Sequence, residues 1–260
     1  MQNTKGSHQL PTNRLSAHII QISGATVVSQ DEIKAKNFGN VSDKQYGDLS
    51  DEQELHSIIE KHQNRAVDNY IQQIAKETPN VKTALVFPSM IYGKGSGPGN
   101  QRSIQVPELA RIALQRKRAV HIGAGENVWT NIHISDLSAM LVRLVESAMS
   151  SGSNDEKNTW GANGLFFAGA HEGISFGTLA RKIARAAHEA NLIPGEEVDS
   201  ISAGEADELS PHASAIVGTN ARTLSERAQK VLSWNASGPS LEHEIAPTVL
   251  AEAKRLGLSS

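Results

Sequence analysis

The run Val81-Lys82-Thr83-Ala84-Leu85-Val86-Phe87 constrains the fold more than any other segment of this chain. A strand apolar almost throughout has to be covered on both faces, which is the situation of a strand inside a parallel sheet. A shorter β-branched run, His18-Ile19-Ile20-Gln21-Ile22, precedes it and stops at Ser23-Gly24. Between the two lie a polar, acidic stretch from Gln30 to Asp51, expected as a surface loop, and helical patterning from Asp51 to Lys76 with a break. Leu55, Ile58 and Ile59 mark one apolar face of that region, and Val67, Tyr70, Ile71 and Ile74 mark another at helical spacing. Pro79 closes it. Strand, helix, strand in this order predicts a right-handed βαβ crossover.

Beyond the second strand comes a glycine-rich loop, Gly93 to Gly99, and then a helix from Val106 to Arg118 with Pro107 in its first turn. Val120–Ile122 and Asn131–Ile134 are short strands. Ser135 or Asp136 is the expected N-cap of a helix carrying Leu137, Leu141, Leu144 and Val145. Ser150 to Lys157 is a small, polar linker. Leu165–Ala168 is a strand, and an alanine-rich helix runs from Ser175 to about Ala190. Residues 193–220 are weakly patterned, and helices over Arg222–Val231 and Leu241–Leu256 end the chain. The pattern is α/β. Residues 1–150 are expected as one domain and 151–260 as a small lobe interleaved with it.

Composition narrows the partners. The formal net charge is −3, from 25 basic and 28 acidic residues over 260. This gives no electrostatic footprint for nucleic acid or an anionic membrane, and the run Gln115-Arg116-Lys117-Arg118 is expected to be a solvated helix end. The chain has no cysteine, which excludes disulfides and thiolate chemistry. There is no apolar run of bilayer length, and Met1–Arg14 lacks the apolar core of a signal peptide. A cytoplasmic location is the expectation. His121 and His133 come without a three-ligand spacing, so no metal site is expected.

Four segments carry a resemblance. Ile20-Gln21-Ile22-Ser23-Gly24-Ala25-Thr26-Val27 is a strand running into hydroxyl residues. Phe87-Pro88-Ser89-Met90-Ile91-Tyr92-Gly93 has a proline followed four residues later by Tyr-Gly. Gly123-Ala124-Gly125 leads to Trp129-Thr130-Asn131-Ile132-His133-Ile134-Ser135-Asp136-Leu137. Val231-Leu232-Ser233-Trp234 lies near the C-terminus. In this order and spacing they resemble the later landmarks of the extended short-chain dehydrogenase/reductases, the NAD-dependent epimerase/dehydratase group. The insert Pro98–Ser103 and the phrase Trp129-Thr130-Asn131 resemble a fungal-type subfamily of reductase-like proteins.

The resemblance implies the later strands only of a Rossmann-like parallel sheet, with a small C-terminal α/β lobe. It implies an NAD(P)-linked oxidoreductase acting on a small carbonyl or a sugar nucleotide, or a non-catalytic remnant that binds a ligand or partner. Ser23 and Thr26 become the catalytic hydroxyl candidates. Ser23, Pro88, Ser89 and Ile91 are expected beside the cofactor, and Tyr92, Asn100, Arg102, Ser103 and Trp129 beside the substrate. Arg102 is the candidate for an anionic substrate group, because its planar fork pairs with phosphate or carboxylate.

Two departures bear on activity. The glycine fingerprint that seats a dinucleotide pyrophosphate at a helix N-terminus is not in this sequence, since neither Gly93–Gly99 nor Gly123–Gly125 opens a helix after a strand. The matched segments begin near the family's fifth strand, so the chain is expected to be N-terminally truncated, to bind cofactor weakly and to self-associate through uncovered apolar surface. The family's Tyr-x-x-x-Lys pair is replaced as well: Asn64 aligns with the tyrosine and Asp68 with the lysine.

Overall fold

The computed structural model of the chain describes residues 17–78, 80–150, 156–170 and 172–258. Met1–Arg14, Pro79 and most of the Ser150–Lys157 linker lie outside the described residues. In chain order the elements are β1 (Ala17–Ile22), α1 (Gln30–Ala35), β2 (Tyr46–Gly47), α2 (Glu52–Lys61), α3 (Ala66–Glu77), β3 (Val81–Pro88), β4 (Met90–Tyr92), α4 (Gln105–Arg116), β5 (Ala119–Ile122), β6 (Val128–Trp129) and β7 (Asn131–His133). They continue with α5 (Ile134–Met149), α6 (Glu156–Thr159), β8 (Leu165–Ala168), β9 (Ile174–Ser175), α7 (Phe176–Glu189), β10 (Val198–Ile201), α8 (Ala203–Leu209), α9 (Ala213–Val217), β11 (Thr223–Leu224), α10 (Glu226–Leu232) and α11 (Leu241–Arg255).

The organising element is a parallel sheet in the order β1-β3-β8, with Ile22 opposite Val86 and Phe87 opposite Phe167. Successive strand residues point to opposite faces, and the packing follows that period. Ala84, Val86, Phe166 and Ala168 pack under α5 and α10, with Leu137, Met140, Leu144 and Leu232. Leu85, Phe87, Leu165 and Phe167 pack under α2 and α3, with Leu55, Ile59 and Ile71. The strand Val81–Pro88 is therefore apolar on both faces from Ala84 onward, with Thr83 the buried polar residue before it. Each large side chain buried there contributes about 1.5–3 kcal/mol. A second core, away from this sheet, joins α4, α7 and α11 through Leu109, Leu114, Leu179, Ile183, Ile245 and Val249. β8, from the 151–260 segment, pairs with β3 of the 1–150 segment.

Several expectations are corrected. The stretch 30–51 is not simply a loop: a short 3-10 turn at Ala25–Ser29 leads into α1, and β2 pairs with β11. Residues 193–220 contain β10, which pairs in parallel with β5, together with α8 and α9. The helix expected from Arg222 starts at Glu226, because Thr223–Leu224 is the strand that reaches β2. The expected second apolar face of α3 is divided. Ile71 is buried, whereas Val67 and Tyr70 are 55% and 61% exposed. Neither Ser135 nor Asp136 caps α5. His133 does, its Nδ1 accepting from the Ser135 amide, while the buried Asp136 carboxylate accepts from the amides of Ser237 and Gly238. Asp136 thus ties the segment before α11 to the first turn of α5.

Among the described residues no helix is long and apolar enough to cross a membrane, and no group of three or more His, Asp or Glu could hold a metal ion.

Candidate functional site

Parallel strands all deliver their carboxyl ends to one edge of a sheet, where open α/β folds bind ligands. Ser23 follows β1 there and its amide donates to the Val86 carbonyl at 2.7 Å. Ser89 follows β3 and its amide donates to the Ala168 carbonyl at 3.0 Å. The two serines thus end adjacent strands on the same edge. The Ser89 hydroxyl turns inward and shares a hydrogen bond of 2.8 Å with the Thr223 hydroxyl.

A residue that sequence reasoning passed over dominates the Ser23 corner. Arg65, the residue that opens α3, donates from Nη2 to the Ser23 hydroxyl at 2.7 Å and from Nη1 to the Thr26 hydroxyl at 3.1 Å. Its Nε and Nη2 also meet the carboxylate of Asp68, at 2.7 and 2.6 Å. Arg65 and Asp68 are three apart, so both project from one helix turn; the sequence signal was an Arg-x-x-Asp pair at a helix start. Asn64 points elsewhere and donates to the Gln30 side chain at 2.8 Å. A guanidinium–carboxylate pair thus stands beside the Ser23 hydroxyl.

The expected substrate side is divided in two. A cleft of about 250 Å³ is lined by Ser89, Ile91, Asn100, Arg102 and Ser103, with Ile104, Gln105 and Ile134. A groove of about 310 Å³ lies on the other side of Arg102, walled by Lys94, Pro107, Pro247, Thr248, Ala251 and Arg255. Gly93, Gln101, Arg102 and Ser103 border both. Gly93 has φ +84, and any side chain there would meet the His133 ring at 2.3 Å, so the loop leaves β4 tight against His133.

Five expected residues therefore come together, and others do not join them. Tyr92 is buried rather than lining the cleft; its hydroxyl donates to the Pro239 carbonyl at 2.7 Å, and burial pushes its pKa up to about 12. Trp129 is buried too, with Nε1 donating to the Thr219 carbonyl. Asn100 braces its own loop through the amide and carbonyl of Arg102. Arg102 is already held. Its Nε and Nη2 reach Glu252, the nearer contact at 2.7 Å, and Nη2 also reaches Glu108 at 2.6 Å. Burial alone would raise the carboxyls of Glu252 and Glu108. Hydrogen bonds from Arg102, joined by Arg255 at Glu252 and Arg111 at Glu108, outweigh it and hold both below the ordinary glutamate value.

No family model matches the chain. The chain is 32% identical over 246 residues to the oxidase ucsJ of an Acremonium species, a match covering 93% of this chain and 71% of that one. Its fold is similar to that of the UDP-glucose 4-epimerase of Thermotoga maritima, solved with UDP-glucose, at a TM-score of 0.55, 16% identity and 92% coverage. It is also similar to the PbgP3 protein of Burkholderia pseudomallei, at a TM-score of 0.57, 12% identity and 92% coverage. The dTDP-glucose 4,6-dehydratase of Bacillus anthracis, solved with NAD, gives a TM-score of 0.54, 12% identity and 91% coverage. The chain spans 64%, 64% and 61% of the length of these three structures.

Proposed function

As the chain belongs to the family of the Acremonium oxidase ucsJ, we propose that it is an NAD(P)-linked oxidoreductase of epimerase/dehydratase type, taking a small carbonyl compound or a sugar nucleotide. The observation that carries this reading is the shared strand edge. Ser23 and Ser89 end neighbouring parallel strands, and a cleft opens beside Ser89. The structures solved with NAD and with UDP-glucose support it through their fold. The insert at 98–103 supports a fungal-type branch.

NAD or NADP, when bound, supplies or accepts the hydride. The residues present fit the nicotinamide end of such a cofactor: Ser23, Pro88 and Ser89 terminate β1 and β3, and Ile91 faces the cleft. They would act as a wall, because the Ser89 amide and hydroxyl are already engaged. The chain's own chemistry centres on Ser23. Arg65 donates into its oxygen, which leaves the serine proton free to be given to a substrate oxygen. A hydroxyl that accepts from a cation is polarised into a better donor. Arg65 fixes that hydroxyl with Thr26 but is itself no proton relay at neutral pH. Asn64 and Asp68 provide neither the donor nor the neighbouring cation of the family pair.

Among the described residues no G-x-x-G-x-x-G turn leads from a strand into a helix. Losing two or three charge-assisted hydrogen bonds to the pyrophosphate, at about 1.5–3 kcal/mol each, weakens cofactor affinity by on the order of a thousandfold or more. Weak cofactor binding and negligible turnover are therefore expected of this chain. A non-catalytic, ligand-binding role is the second reading, favoured by the Arg65–Asp68 pair at the catalytic position. The test is a fluorescence titration with NADH and NADPH, followed by an assay on aldehydes and ketones. Low-micromolar cofactor binding with turnover would overturn the impaired reading; no binding response at all even at millimolar NADH or NADPH, the range that a thousandfold loss implies, would overturn the NAD(P)-linked one.

A further inference from the structure

Arg102 stands between the cleft and the groove, and both its carboxylate partners come from outside the loop that carries it. Glu252 belongs to α11 and Glu108 to α4, so the guanidinium staples the 93–103 loop to two helices. The Glu252 side chain is only 4% exposed and also takes Arg255 at 2.8 Å. Pulling Arg102 away to meet a ligand would strand that carboxylate in the wall with the more exposed Arg255 as its remaining partner, and breaking such a buried pair is strongly unfavourable. The other charges nearly cancel. Of the titratable groups lining the groove, Lys94 and Glu244 have no ion-pair partner among the described residues. The cleft on the Ser89 side has Arg102 as its one titratable lining residue. The remaining surfaces are apolar or neutral: Pro107, Pro247, Thr248 and Ala251 in the groove, Ile91, Ile104 and Ile134 in the cleft.

A diphosphate needs several unengaged donors or cations around it. The side chains that donate to nothing among the described residues here are Lys94, Ser103 and Thr248. One ammonium and two hydroxyls suit one or two carbonyl or hydroxyl oxygens on an otherwise apolar body, the usual economy of small-molecule pockets. We infer that the cleft and the groove flanking Arg102 take an uncharged, largely apolar carbonyl compound and exclude sugar nucleotides. This rests on reading the cleft as the substrate site and narrows its substrate class.

The experiment measures binding without cofactor, by ligand-observed NMR on the full chain, using acetophenone as the neutral probe and UDP-glucose as the charged one. Acetophenone is expected to bind at least about tenfold more tightly than UDP-glucose. Ala251→Phe, which fills the groove from an exposed helix position, should weaken acetophenone by about tenfold. In Glu252→Gln the two arginines lose one shared charge partner, and UDP-glucose binding should rise several-fold. UDP-glucose binding as tight as or tighter than acetophenone overturns the inference. So does a lack of acetophenone binding, or an Ala251→Phe variant that binds it unchanged. Because no cofactor or turnover enters the measurement, a failed NADH titration leaves this result standing and counts only against the oxidoreductase reading.

Discussion

The guanidinium of Arg65 donates to the hydroxyl of Ser23 across 2.7 Å, joining two residues 42 positions apart at the carboxyl edge of the sheet. The same guanidinium neutralises Asp68, which is buried. The corner is therefore one charged unit, and its parts cannot be exchanged singly.

Arg65→Met should cost about 3–5 kcal/mol, the typical penalty for leaving a buried charge unpaired. Arg65→Met with Asp68→Leu should recover most of that loss. Urea denaturation curves of the two variants decide it; a single variant within 1 kcal/mol of the parent would show that the pair is of the weak, solvent-screened kind. By the same logic Asn64→Tyr with Asp68→Lys should fail to create a working relay, because Arg65 would then face a lysine and still hold Ser23.

Asp48 is an acid that the fold perturbs strongly. Burial pushes its carboxyl from 3.8 up to about 7, against the lowering effect of the Arg227 and Phe167 amides that donate to it. A folded-state value above the unfolded one means that the folded chain binds the extra proton, so stability declines as pH rises. The contribution is whole below pH 3.8 and is lost progressively up to about pH 7. Comparing the chain with Asp48→Asn in urea from pH 4.5 to 8, the parent should lose ground steadily relative to the variant. A difference that stays flat across this range would remove Asp48 as the source.

Tyr92 should not ionise in the neutral range. Its hydroxyl donates to the Pro239 carbonyl, and burial pushes its pKa up to about 12. A spectrophotometric titration should show one of the three tyrosines ionising last, near pH 12, and Tyr92→Phe should delete that step. The variant should also lose about 1–3 kcal/mol, since the Pro239 carbonyl is left without its donor. A late step that survives in Tyr92→Phe would assign it to another tyrosine.

Self-association should run through β1 and α3. Among the described residues β1 is paired on one side only, and strands with an open edge invite pairing. Ile22, Val67 and Tyr70 stand exposed. Size-exclusion chromatography with light scattering should show dimers or larger species, and Ile22→Lys with Val67→Lys should shift them toward monomer. A monodisperse parent monomer with little dye-accessible apolar surface would contradict this.

The sequence by itself determined the α/β class and the strands β1 and β3 of its parallel sheet. β3 could be read from Val81–Phe87 because its inner residues are apolar apart from Thr83, and the reason is local: a strand covered on both faces has no polar side. β1, β8, α4, α7 and α11 were legible on similar grounds, from periodicity and from the Ser175 start of α7. The hydroxyl end of β1 and the Pro88–Ser89 turn were legible as motifs. What only the tertiary structure decided are the polar contacts that join distant segments. Asp136 anchors Ser237 and Gly238 rather than capping its own helix, since amides about a hundred positions away complete its shell. Arg102 is held by Glu108 and Glu252 rather than awaiting a ligand, because folding brings α4 and α11 to its loop. Arg65 meets Ser23 because a parallel crossover returns the start of α3 to the end of β1. Apolar pattern records which face is buried and repeats along the chain. Charge pairing depends on which surfaces meet after folding, and no local period carries that information.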